Sequence, residues 1–140
     1  MRVVLDTNVV ASALLWGGTP ERLIELAGDG RLELFTSAAL LNEFARILGR
    51  PKFATKLALR NLSAAEIVSH YRAIADTVEA APVQEPALRD PDDAAVLACA
   101  LAARVDAIVT GDGDLHALGN FRGIQILTPA ECLQRVAGSA

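Results

Sequence analysis

Zinc-ligand patterns, membrane-length apolar runs and a surplus of positive charge are all missing from this sequence, and each absence removes a class of function. There are only two cysteines and two histidines. Cys99 and Cys132 fall in apolar helical patterns with no CxxC and no histidine at ligand spacing, and neither His70 nor His116 has a second zinc ligand at useful spacing. The cysteines read as buried reduced thiols, as expected of a cytoplasmic protein. Aromatic residues make up 4% of the chain, while Ala, Leu and Val carry most of its 52% hydrophobic content. That is an ordinary globular composition, not a disordered one. The net charge of -4 argues against a wholly basic nucleic-acid binder. Val9 to Trp16 is too short an apolar run to span a membrane. Asp6 interrupts the only apolar N-terminal segment and only Arg2 precedes it, which argues against a signal peptide. No repeat, linker or low-complexity stretch appears, and 140 residues suit one domain, 1–140, with one sizeable core.

What is present is an alternation of strands and helices. Arg2-Val3-Val4-Leu5 reads as a short buried strand, followed by an apolar helix from Val9 to Trp16 that stops at Gly17-Gly18. Thr19-Pro20 starts a second helix that ends at Gly28 and Gly30. Leu32 to Phe35 alternates as a second strand, and Thr36-Ser37 opens a helix through about Leu48. Ser63 to Glu66 is a capping box, and Thr77 to Ala80 fits a short edge strand. Pro82 to Pro86 is a loop, and Asp90-Pro91 starts a nearly all-apolar helix through Ala103. Ala107 to Thr110 and Gly123 to Leu127 are the last two strands, and Thr128 to Glu131 caps the final helix. This order predicts an α/β domain around a mostly parallel sheet.

Acids recur where such a sheet builds its sites. Ligands of open α/β sheets bind beyond the carboxyl ends of the strands. Asp6 directly follows the first strand, and Gly111-Asp112-Gly113-Asp114 follows the strand ending at Thr110. Glu43 and Asp93 lie on helices that enter the same edge. Local readings compete with this one: Asp6 as a helix cap, Glu43 as an ordinary surface residue, and the acids at 90, 92 and 93 as caps worth ~0.3–1 kcal/mol each. Capping accounts well for Asp90 but less well for three acids crowded into one turn. Converging carboxylates repel and take up protons unless a cation neutralises them. An all-oxygen set without thiol or imidazole selects Mg²⁺ or Mn²⁺. Such ions activate water and stabilise charge in phosphodiester displacement. Ser12 and Ser37 have no histidine in a matching arrangement, so no covalent nucleophile is apparent.

Together these segments make the chain resemble the PIN-domain family of metal-dependent nucleases. The matching elements are Leu5-Asp6-Thr7-Asn8, Asn42-Glu43-Phe44, Asp90-Pro91-Asp92-Asp93 with its Ala-rich helix, and Val109 to Asp114, in the family's order. Leu48-Gly49-Arg50-Pro51-Lys52-Phe53 is similar to a subgroup described as toxin components of toxin–antitoxin pairs, the VapC toxins. The resemblance implies a three-layer α/β/α sandwich and an acidic quartet of Asp6, Glu43, Asp93 and Asp112 holding one or two metal ions. It implies that Thr7, Asn8 and Thr110 orient carboxylates, with Asp114 as an auxiliary metal ligand. Asp90 or Asp92 could share the role given to Asp93, which helical phase favours. It further implies an endoribonuclease that is the toxin of a type II pair, a homodimer, and a protein antitoxin over the acidic cleft.

An acidic cleft repels RNA, so something basic is expected at its rim. Arg46, Arg50, Lys52, Lys56 and Arg60 form the one run of bases without an acid among them. Arg50, Lys52 and Lys56 are the expected phosphate contacts, against the plainer reading of a solvated helical surface. Two other functions compete with a nuclease. One is a non-catalytic PIN-like module that binds RNA or protein. The other is a haloacid-dehalogenase-type phosphatase with Asp6 as nucleophile, which needs an aspartate where Asn8 stands.

Overall fold

The computed structural model describes residues 1–138. Along the chain run β1 (Arg2–Leu5), α1 (Thr7–Leu15), α2 (Thr19–Gly28), β2 (Glu33–Thr36), α3 (Ala38–Ile47), α4 (Pro51–Leu59) and α5 (Ala64–Ile74). Then come β3 (Asp76–Thr77), α6 (Pro91–Ala103), β4 (Ala107–Val109), α7 (Gly113–His116), β5 (Asn120–Phe121), β6 (Ile124–Leu127) and α8 (Pro129–Gly138). The strands form one sheet in the order β3-β2-β1-β4-β6-β5. All neighbours are parallel except β5 and β6.

The apolar β1 run follows from burial of both faces of the sheet, as parallel sheets require. Val3 and Leu5 pack with Leu34 and Val109 against Val9, Leu23, Phe44 and Phe53 on one side. Val4, Phe35 and Ile108 pack against Val96, Leu97, Ala100 and Leu115 on the other. The result is the expected three-layer α/β/α sandwich. Its second helical layer is α6 with the short α7. Among the described residues no helix is long and apolar enough to cross a membrane.

Local capping chemistry sets the helix starts. Ser37 Oγ accepts from Leu40 N, Ser63 and Glu66 make a reciprocal capping box, and Thr128 and Glu131 make another. Three features differ from the sequence reading. The edge strand sits at Asp76–Thr77, one residue earlier and shorter than expected, and both residues are exposed, so no apolar alternation marked it. The helix α7 and strand β5 were not anticipated; at four and two residues they are too short to carry a periodic signal.

Sheet order matters most for the site. From β1 the chain steps to β2 on one side and returns to β4 on the other, so the strand order reverses between β1 and β4. Leu5 lies opposite Val109 there. A crevice opens beyond the carboxyl ends of two strands at such a switch point.

Candidate metal centre

Asp6 and the Thr110–Asp112 turn leave the sheet side by side at this switch point. Asp6 N donates to the Val109 carbonyl at 2.9 Å, and the Asp6 carbonyl accepts from Val9 N and Val10 N. Asp6 occupies the N-cap position of α1, yet its side chain makes no capping bond. Its Oδ2 instead accepts from the Thr110 hydroxyl at 2.7 Å. That hydroxyl accepts in turn from Asp112 N at 2.9 Å, so its proton is directed at Asp6. Asp112 Oδ1 accepts from Asp114 N at 2.7 Å, which starts α7. His116 Nε2 lies 2.7 Å from the Thr110 carbonyl and ties the turn from its other end. Sequence reasoning missed this histidine because the contact exists only once α7 has folded back.

Two helices bring the other acids. Asp90 caps α6 by accepting from Asp92 N at 2.9 Å. Asp92 is half-buried and pairs with Arg46 of α3 at 3.0 Å. Asp93 points inward, and the same helical docking turns Glu43 of α3 inward as well. The structure therefore gives the acids at 90, 92 and 93 three different surroundings.

Asp6, Glu43 and Asp93 are only 6%, 7% and 5% exposed, a degree of burial carboxylates almost never reach without a partner. Nevertheless Glu43 Oε2 and Asp93 Oδ2 are buried without any hydrogen-bond partner. One carboxylate oxygen each from Asp93, Asp112 and Asp114 lies within 4.8 Å of the others. Asp114, expected as auxiliary, thus belongs to the tightest group among the described residues, while Asp6 lies near Asp93 and Asp112, and Glu43 near Asp6 and Asp92. The Thr110 hydroxyl already occupies Asp6 Oδ2.

The electrostatics are those of crowded anions. Burial raises the Asp6 carboxyl above its ordinary value, the Thr110 hydrogen bond opposes the rise, and the charge of Asp112 adds to it. Burial, then the charge of Asp92, pushes Glu43 up to about 7. Burial, then the charges of Asp112, Asp90 and Asp6, pushes Asp93 up to about 7. A divalent cation removes both causes, since it replaces water as the charge's partner and outweighs the repulsion. Oxygen-only donors with two orphaned buried oxygens fit a hard ion such as Mg²⁺ or Mn²⁺.

The three residues expected to orient carboxylates behave differently. Thr110 does so directly. The Thr7 hydroxyl is close enough to oppose the shifts of Asp6 and Glu43, but it forms no well-shaped hydrogen bond. Asn8 is exposed and lines the cavity beside Asp6. That cavity, about 350 Å³, is also bounded by Ser12, Lys52, Phe53, Gly111 and Asp112. Of the three expected phosphate contacts, Lys52 therefore reaches the acidic crevice. Lys56 lies one helical turn further along α4, and Arg50 sits exposed at its N-cap.

The family model described as PIN domain matches residues 2–114, a span that ends on the last of these acids. No curated protein matches the chain by sequence. Among solved structures, a chain in the crystal structure of VapBC2 from Rickettsia felis bound to a DNA fragment from their promoter is similar in fold. It aligns over 91% of this chain and 98% of that one, with a TM-score of 0.60 and 11% sequence identity.

Proposed function

The chain belongs to the PIN-domain family, and from that premise we propose that it is a divalent-metal-dependent endoribonuclease, the toxin of a type II toxin–antitoxin pair. One observation carries the reading. At the switch point of the sheet, carboxylates from two strand ends and two helices crowd together, and two of their buried oxygens have no protein partner. Family membership supports nuclease chemistry, and likeness of fold to a VapBC2 chain supports the toxin role with a protein antitoxin.

Asp93, Asp112 and Asp114 would hold Mg²⁺ or Mn²⁺, with Asp6 and Glu43 completing or bordering the set. When bound, the ion supplies Lewis-acid activation of water and stabilises charge on the phosphoryl oxygens. Thr110 holds the Asp6 carboxylate in one orientation. One of these carboxylates would take the proton lost by the attacking water. The protein acts as a cytoplasmic homodimer of single-domain chains, and the antitoxin covers the crevice.

The purified chain should cleave single-stranded RNA with Mg²⁺ or Mn²⁺, lose activity in EDTA and regain it on adding either ion. Metal-independent cleavage, or none on a broad RNA panel, would contradict the reading. Light scattering at micromolar concentration checks the dimer, which a monomer would refute.

The basic rim makes a separate prediction. Replacing Arg50, Lys52 and Lys56 together by Ala should weaken binding to unrelated RNA sequences alike. It should also flatten the salt dependence by a slope of ~0.7 for each single-strand phosphate that these side chains no longer neutralise. Metal affinity measured without RNA should not change. An unaltered salt slope would assign these side chains to plain surface and move the attraction elsewhere, to Arg22 or Arg89.

A further inference from the structure

Trp16 is the only tryptophan in the chain, and it is not buried. It follows α1 as the C-cap residue and is 48% exposed, one of two large apolar side chains left open among the described residues. Its ring meets Phe53 edge to face, with centroids 5.2 Å apart and planes at 64°. Phe53 is 1% exposed, so the partner is fixed in the core and braces the indole against moving inward. Two ammonium groups flank the pair. Lys52 Nζ lies 4.8 Å from the Phe53 centroid and 5.9 Å from that of Trp16, and Lys56 Nζ lies 6.0 Å from Trp16. The contacts to Trp16 are at the outer limit of cation–π attraction, about 6 Å, so neither lysine is locked onto the indole.

This arrangement borders the acidic crevice. Lys52 and Phe53 line the same cavity as Asp6 and Asp112. A half-exposed indole beside cations that are not locked onto it is how single-stranded nucleic acid is bound without sequence readout: a base stacks on the ring, and the cations swing aside to neutralise flanking phosphates. An apolar protein surface fits worse, because covering the ring would desolvate two ammonium groups without neutralising them. We propose that Trp16, braced by Phe53 and flanked by Lys52 and Lys56, is the platform on which an unpaired RNA base stacks at the mouth of the crevice. The neighbouring phosphate is thereby delivered towards the carboxylates. This rests on the nuclease reading and adds to it a positioning residue that holds a base without selecting its identity, since every base has a π face.

Steady-state cleavage of a short single-stranded oligoribonucleotide tests the platform, with the full chain and Mg²⁺ or Mn²⁺ present. Alanine replacement of a stacking aromatic costs ~1–3 kcal/mol per base, so Trp16→Ala should raise KM about tenfold or more while kcat changes little. The salt dependence of KM should keep the parent slope, because stacking releases no counterion; this separates Trp16 from the lysines. Trp16→Phe should recover most of the affinity and Trp16→Leu should not, and both keep an apolar side chain against Phe53 should the alanine variant fold poorly. Indole fluorescence of the parent, a single-site signal, should be quenched on rapid mixing with the oligonucleotide, before cleavage. An unchanged KM in the Leu variant with unquenched fluorescence would overturn the proposal and leave Trp16 facing a protein partner. A parent chain that cleaves no RNA under any metal condition would overturn the nuclease reading itself, and the platform with it.

Discussion

Asp6→Asn is expected to lower RNA cleavage by ~10²–10⁴ while leaving the fold intact. A carboxylate that helps hold the metal contributes to a stabilisation worth several kcal/mol, and each 1.4 kcal/mol is tenfold in rate. The fold should survive because the neutral side chain keeps the geometry. An asparagine carbonyl oxygen can still accept from the Thr110 hydroxyl, and the bond from the residue-6 N–H to the Val109 carbonyl is untouched. The negative charge of Asp6 also raises both Glu43 and Asp93. Removing it should make the metal-free variant at least as thermally stable as the parent at pH 8. Cleavage assays and thermal melts on the same preparation give the answer. Loss of folding would recast Asp6 as a structural acid, and full activity would remove it from the site.

The second large effect is on stability as a function of pH. Burial and neighbouring charge raise Glu43 from 4.5 to about 7 and Asp93 from 3.8 to about 7 in the folded, metal-free protein. A carboxyl with a raised folded pKa binds its proton more tightly folded than unfolded. Its stabilising contribution is therefore complete below about pH 4 and is lost as the pH rises through 7. Each tenfold gain in proton affinity is worth ~1.4 kcal/mol, so even with the two groups sharing one negative field a joint loss of at least about 3 kcal/mol between pH 4 and pH 8 is expected. For a chain of 140 residues that lowers Tm by roughly 10 °C. Mg²⁺ or Mn²⁺ should restore most of the loss at pH 8 and do little at pH 4, where protons occupy the same oxygens. Melting curves in EDTA against pH, then with each ion, check this. A flat Tm with no metal response would mean that these carboxylates do not form a cation site.

Much of the candidate site was legible because its chemistry is local. A β-branched run that breaks into Asp6, and another that breaks into Thr110 and Asp112, mark strand ends that cannot continue into an apolar layer. Serine or threonine three residues before glutamate announced the starts of α5 and α8, since capping is settled within one turn. Residues whose role depends on an unrelated segment were less visible. Asp92 and Asp93 are adjacent, and only the docking of α6 against α3 sends one to Arg46 and the other inward. Asp114 joined the tightest group of acids because α7 folds back over the turn, anchored by Leu115 in the core and His116 on Thr110.

Most of the order of strands and helices, the burial of β1 and the placing of acids just past strand ends were determined by the sequence alone, because apolar period, helix caps and polar breaks act between near neighbours. Which strand ends meet was decided by the tertiary structure. Leu5 and Val109 lie far apart in the chain and carry no local mark that they pair. They meet because the two apolar faces of β1 and β4 are buried only when β2 and β6 lie outside them and helices cover both sides. The same packing carries Lys52 and Phe53 on α4 to the crevice, since Phe53 has to enter the core and its neighbour is turned towards Asp6 and Asp112. Periodicity decides which face of an element is apolar, and the choice of what that face covers is made only when all the faces compete for the same core.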